Sequence, residues 1–150
     1  MLALVLTGIF LVAATVTIHA VGSTSLIQYL ARRFADADGY IKKGNVLHAV
    51  TLTAHVLILL HVLEVVLWAL AYLLVVPGDP LDTFEKAVYF SVVTFTTVGY
   101  GDITLTEHDW RLLSGIEALD GIFLVGWSTA LLFMVVQRSW TTIGRSRPNA

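Results

Sequence analysis

Apolar residues in this chain fall into three long runs. Leu2–Leu30 contains no charged residue. Val46–Val76 contains a single carboxylate, Glu64. Leu112–Gln137 carries Glu117 and Asp120 near its start. Each run is long enough to cross ~30 Å of hydrocarbon as a helix. A fourth stretch, Ala87–Val98, is too short to span. Ahead of it, Asp82 and Glu85 stand three apart, the spacing of an N-cap and its capping partner, so a short helix is predicted from Thr83 to about Phe95. A short helix that dips into a membrane and returns is a re-entrant loop. Non-helical backbone at that depth is tolerated only where it is buried in protein or lines a water-filled path.

Composition agrees with a membrane protein. Of 150 residues 57% are hydrophobic and 13% charged, with mean hydropathy +0.80, against ~25% charged in an average soluble domain. The net charge of −2 gives no basic field for nucleic acid. There are no cysteines, which excludes disulfides, thiol catalysis and Cys-based metal sites. The first run is a poor signal peptide, being too long and lacking a preceding Lys or Arg. No repeat or second domain is seen. No nucleotide loop, nucleophile–base set or cofactor motif is present, so an enzyme is not expected.

Charge sets the expected orientation. Arg32, Arg33, Lys42 and Lys43 lie between the first two runs, and Arg138, Arg145 and Arg147 follow the third. The Pro77–Asp109 segment has Asp79, Asp82, Glu85, Asp102, Glu107 and Asp109 against Lys86. Positive-inside bias places the first linker and the tail in the cytoplasm, with the N-terminus outside. Thr141–Ala150 is expected to fray. Asp36-Ala37-Asp38-Gly39 resembles the start of a calcium loop, but Leu47 occupies the twelfth position, where a bidentate Glu is needed, so a polar turn is expected.

After the short helix comes Thr96-Thr97-Val98-Gly99-Tyr100-Gly101-Asp102. In this setting the motif resembles the selectivity filter of the potassium channel pore family, two-transmembrane pore-loop ion channels of prokaryotic type. The resemblance runs from Leu57 to about Arg138, with Leu2–Leu30 as an extra helix. It implies an all-α integral membrane fold of three transmembrane helices, a pore helix and a filter. The expected divisions are an N-terminal helix (1–30), a linker (31–45), a pore domain (46–138) and a tail (139–150). Carbonyls of Thr97, Val98, Gly99 and Tyr100 would replace the hydration shell of K+, with the Thr97 hydroxyl as the innermost ring. Gly99 and Gly101 free the backbone to aim those carbonyls, and Asp102 closes the motif. Val98 and Tyr100 side chains are expected to wedge the loop against its surroundings. The C-terminal end of the short helix would aim partial negative charge at the ion path.

One filter strand cannot surround an ion, so a homotetramer is expected. Conduction would be passive, with K+ as the permeant ion, no cofactor, and the lipid bilayer as surroundings. The compact size points to a prokaryotic cytoplasmic (plasma or inner) membrane. The resemblance also implies a gating-hinge glycine in the third run. Gly121 stands at the matching place beyond the filter, and Gly126 is a second candidate. Ile122, Val125, Thr129 and Phe133 recur at a three-to-four spacing and are candidates to line a cavity, or to pack helices.

The chain departs from the family in several ways. It has no Arg-repeat voltage sensor and no ligand domain after Arg138. Part of the family carries a pore-helix Glu that pairs with the filter aspartate. Here that position is Val93, and Tyr89 is the alternative donor to Asp102. Among the remaining polar residues, His61 and Glu64 lie one turn apart and read as a structural or proton-sensing pair, with a network that could reach Glu117 or Asp120. His48 and His55 share a face, His19 is read as packing or interfacial, and His108 as solvated. A weakly selective cation channel is the nearer alternative. A His-based haem or metal membrane protein is the distant one.

Overall fold

The computed structural model describes residues 2–76, 80–105 and 108–145, and the side chains of these apart from 108, 109 and 141–145. The chain is all-helical in its named elements: α1 (Leu2–Phe34), a 3₁₀ turn (Lys43–Asn45), α2 (Val46–Val75), α3 (Phe84–Phe95) and α4 (His108–Arg145). Three of them, α1, α2 and α4, are long and apolar enough to cross a membrane. At 1.5 Å per residue the 33 residues of α1 extend about 50 Å, longer than the hydrocarbon alone requires.

Helix ends overrun the apolar runs. α1 continues past Leu30 through Arg32 and Arg33, cations placed in its last turn, where the helix dipole favours them. α4 begins before Leu112 and runs to Arg145, so the stretch expected to fray from Thr141 is helical through Arg145. Apolar runs mark what lipid or protein must cover, whereas backbone hydrogen bonding decides where a helix stops. The expected outer acids Asp79 and Glu107, Arg147 and the rest of 146–150 lie outside the described residues. So do the side chains of His108, Asp109 and Arg145.

The start of α3 corrects one assignment. Thr83, not Asp82, is the N-cap: its extended backbone (φ −125°, ψ 153°) lets its side chain accept from the Lys86 N–H. Asp82 instead accepts from Lys86 Nζ at 2.7 Å on the surface, and that bond holds its carboxyl below the ordinary value of 3.8.

Contacts divide the chain into two compact units, residues 1–18 with 61–125, and 19–60 with 126–150. The first has a core of Leu4, Leu11, Val65, Trp68, Tyr72, Val76, Leu81, Phe90, Phe95, Leu105, Leu113 and Leu124. Gly8 lets α1 sit close to α4: a Cβ there would lie 2.7 Å from Ile116 Cδ1. In the second unit the His19 ring lies 5.4 Å from the Trp127 ring, and its Nε2 lies 3.3 Å from Ser128 Oγ. The linker of this unit is a polar turn that closes on itself. Asp36 Oδ1 accepts from the Asp38 and Tyr40 N–H groups at 3.0 and 2.9 Å, and Gly39 takes φ +79°.

Candidate functional site

The Thr96–Asp102 segment leaves α3 without breaking its hydrogen bonding. Thr96 N–H donates to Val92 O, Thr97 N–H to Thr94 O, and the Val98 and Gly99 N–H groups both to Val93 O, at 2.9–3.2 Å. Those carbonyls would otherwise be orphans of the helix C-terminus. In a planar trans peptide the carbonyl lies opposite the N–H. The carbonyls of Thr96, Thr97 and Val98 therefore point away from the helix that receives the following N–H groups.

The backbone alternates in hand. Thr97, Gly99 and Gly101 have φ of 59°, 58° and 79°, whereas Val98 and Tyr100 keep negative φ. Alternating left- and right-handed residues gather successive N–H groups on one side of the chain and carbonyls on the other. Left-handed backbone was expected at the glycines. Thr97 has no such freedom, and a non-glycine there is strained unless its surroundings hold it. The bonds of its own and the two following N–H groups to α3 are that hold. Within the single chain the Val98 and Tyr100 side chains are 52% and 72% exposed. The segment turns its N–H groups to α3, and among the described residues these two side chains stand on its open side.

Tyr89 donates to Asp102 Oδ2 at 2.6 Å, bracing the outer end of the segment against α3. The bond lowers the Asp102 carboxyl from its ordinary 3.8 and raises the Tyr89 phenol from 10.0. The Asp102 contribution is present above 3.8 and lost as pH falls through its depressed value. The Tyr89 contribution is present below 10.0 and lost as pH rises through its raised value. The clasp is thus intact across the neutral range. Tyr89→Phe is expected to loosen the outer end of the segment, and by the same factor at every pH in that range, read as faster amide hydrogen exchange at residues 99–102.

One face of α4 organises the region behind the segment. Tyr72 donates to Glu117 Oε2 at 2.6 Å, and Ser91 of α3 is hydrogen-bonded to Glu117 Oε1 and to Val65 O of α2. One turn on, Asp120 Oδ2 accepts from Trp68 Nε1 at 3.0 Å and from Thr15 of α1 at 2.7 Å. Trp68 and Tyr72 are one turn apart on α2 and meet Asp120 and Glu117 in antiparallel order. The next position, Gly121, faces the end of α3, where a Cβ would lie 2.0 Å from Phe95 O. Thr15, Trp68, Tyr72 and Ser91 were not singled out by sequence. Their signal was four hydrogen-bonding side chains inside apolar helices, beside two intramembrane acids spaced i, i+3.

The remaining candidates are distributed along the helices. His61 Nδ1 and the fully buried Glu64 meet at 2.8 Å, and the His61 ring lies 5.8 Å from Phe95. Glu117 and Asp120 are engaged by the other partners named above. His48 and His55 are exposed. Gly121 and Gly126 both lie within continuous α4, and Gly126 has open space where a Cβ would stand. Ile122, Val125, Thr129 and Phe133 are all exposed.

Comparison with known proteins accords with this geometry. The profile of a family described as "Ion channel" matches residues 56–138, more than half of the chain. The TWiK family of potassium channels protein 18 of Caenorhabditis elegans is 38% identical over 42 residues, 28% of this chain and 9% of that protein. The Two-pore potassium channel 4 of Arabidopsis thaliana is 40% identical over 45 residues, 30% of this chain and 16% of that protein. The chain thus spans less than a fifth of the length of either relative. No solved structure matches it. With its three helices long and apolar enough to span, the chain is a multi-pass membrane protein and belongs to this ion channel family.

Proposed function

We propose that the chain is one subunit of a potassium-selective channel that conducts K+ passively through a filter formed by Thr97, Val98, Gly99 and Tyr100, closed by Gly101 and Asp102. The observation that carries this reading is the alternating hand of residues 97–101, with the N–H groups of 97–99 given to α3 and the carbonyls turned the other way. A bare row of carbonyl dipoles is what a dehydrated monovalent cation needs. The names of both relatives support K+ as that cation.

A row on one side of one chain encloses nothing. Four copies about a fourfold axis would close it, and the exposed Val98 and Tyr100 side chains would then have a neighbouring subunit to pack against. In the same assembly residues 46–138 form the pore domain. Ile122, Val125, Thr129 and Phe133 face the space below the filter, and α4 bends at Gly121 or Gly126. His61 and Glu64 serve as a structural pair beside Phe95. The N-terminus lies outside and the tail in the cytoplasm of a plasma or inner membrane.

Purified protein in liposomes tests the reading. K+ and Rb+ are expected to permeate far better than Na+. Ba2+, close to K+ in size with twice its charge, is expected to block by dwelling near Thr97. Comparable Na+ and K+ flux would leave a weakly selective cation channel, and a Soret band in the visible spectrum would favour a haem protein.

A further inference from the structure

Glu117 is buried, and its oxygens touch two hydroxyl groups and no cation among the described residues. The hydrogen atoms available to this cluster can be counted. Ser91 Oγ has one proton, yet it is within hydrogen-bond distance of two acceptors, Val65 O at 3.0 Å and Glu117 Oε1. Tyr72 spends its one proton on Glu117 Oε2. With Glu117 ionised there are three contacts and two protons, so one pair of oxygens is left facing without a hydrogen. With a proton on Oε1 every contact is filled: Tyr72 donates to Oε2, Oε1–H donates to Ser91, and Ser91 donates to Val65 O. An ionised carboxylate in this place would also stand buried without a counter-charge, which is costly.

The chain of bonds has a direction and an end. It links α2 twice, at Tyr72 and Val65, to α4 at Glu117 and to α3 at Ser91. Immediately after Ser91 come Val92, Val93 and Thr94, whose carbonyls receive the N–H groups of Thr96–Gly99. Ser91 therefore anchors the turn of α3 on which the filter backbone rests. The acid reaches that turn from α4.

We propose that Glu117 is a positioning residue of the filter, a neutral carboxylic acid that fixes α3 through Ser91 and so sets where the Thr97–Tyr100 carbonyls stand. The inference rests on the channel reading above. It makes a distinctive demand on substitutions. Glu117→Gln keeps a donor and an acceptor in the same places and should preserve function, which it would not do if a charge were required. Glu117→Leu keeps bulk and loses both.

The experiment compares K+ over Na+ permeability in liposomes for the unmodified protein, Glu117→Gln, Glu117→Leu, Ser91→Ala and the double variant Glu117→Leu/Ser91→Ala. Glu117→Gln is expected to hold the parent's ratio. Glu117→Leu and Ser91→Ala are each expected to lower it about tenfold, the scale of one lost buried hydrogen bond. The double variant should fall no further than Glu117→Leu alone, because both act through one link. Infrared spectra of the parent should contain a protonated-carboxyl carbonyl band that Glu117→Gln removes. If Glu117→Leu does not fold, Ser91→Ala, Glu117→Gln and the infrared band decide.

A selective parent whose ratio survives both Glu117→Leu and Ser91→Ala overturns the positioning role. Loss of selectivity in Glu117→Gln, or absence of the band, overturns the neutral acid. A parent that does not discriminate K+ from Na+ overturns the channel reading, and this inference with it.

Discussion

Gly121→Ala is expected to destabilise the protein and to abolish selective K+ flux. The added Cβ would stand 2.0 Å from Phe95 O, 2.7 Å from its carbonyl carbon and 3.0 Å from its Cα. These are backbone atoms of the last residue of α3, so no side-chain rotation relieves the overlap. Either α4 or the end of α3 must move, and the Thr96–Asp102 segment begins at the next residue. Forced overpacking typically costs about 1–3 kcal/mol, and the displacement falls where the carbonyls must be placed. A bend point with no such contact would give the opposite sign, because Ala in place of Gly stabilises a helix interior by roughly 1 kcal/mol. Gly115→Ala supplies the comparison on the same helix: nothing lies within 4 Å of its Cβ position. A lowered melting temperature with lost flux for Gly121→Ala, beside a slightly raised one with retained flux for Gly115→Ala, is the expected pair of results. A stabilised Gly121→Ala protein with only its open probability changed would leave the residue as a hinge alone.

Gly99→Ala is expected to eliminate K+ selectivity by a different physical route. No atom would touch the new Cβ within the chain. The backbone, however, stands at φ +58°, where an L side chain costs roughly 1–2 kcal/mol. In the proposed tetramer that strain would be repeated in four strands around one axis. The relaxed alternative is a negative φ, which turns the neighbouring peptide planes and takes a carbonyl off the ion path. Gly39→Ala is the matched control, being another left-handed glycine (φ +79°) with open space, placed in the linker turn. Both variants should lose similar local stability, and only Gly99→Ala should lose the difference between K+ and Na+ flux. Equal selectivity in parent and Gly99→Ala would remove the alternating backbone from the account of conduction.

The three spanning helices, the short helix between the second and third, and their order were legible from the chain. Uninterrupted apolar runs have few ways to satisfy their backbone in a membrane, and the contrast between three long runs and one short one separates spanning from re-entrant pieces. The left-handed backbone at Gly99 and Gly101 was legible because glycine is the residue that tolerates it. Local detail was harder where neighbours compete. Asp82 and Thr83 can both cap a helix, and the choice fell to Thr83 once Asp82 was engaged by Lys86. Left-handed Thr97 was not legible, since its strain is held by carbonyls of a helix that must already be formed.

The family motif and the intramembrane acids were visible in the sequence, but not what the acids bind. Glu117 and Asp120 announce themselves as costly groups that need partners. Thr15, Trp68, Tyr72 and Ser91 become those partners through pairings 26 to 105 residues apart in sequence. Gly121 likewise reads from sequence as a flexible point, and the approach of Phe95 O makes it a notch. Hydrophobicity, length and glycine content act locally, so the sequence by itself determined which elements form, in what order, and where a filter-like loop falls. Hydrogen bonds and steric exclusion act between atoms that packing brings together, so only the tertiary structure decided what holds that loop in place.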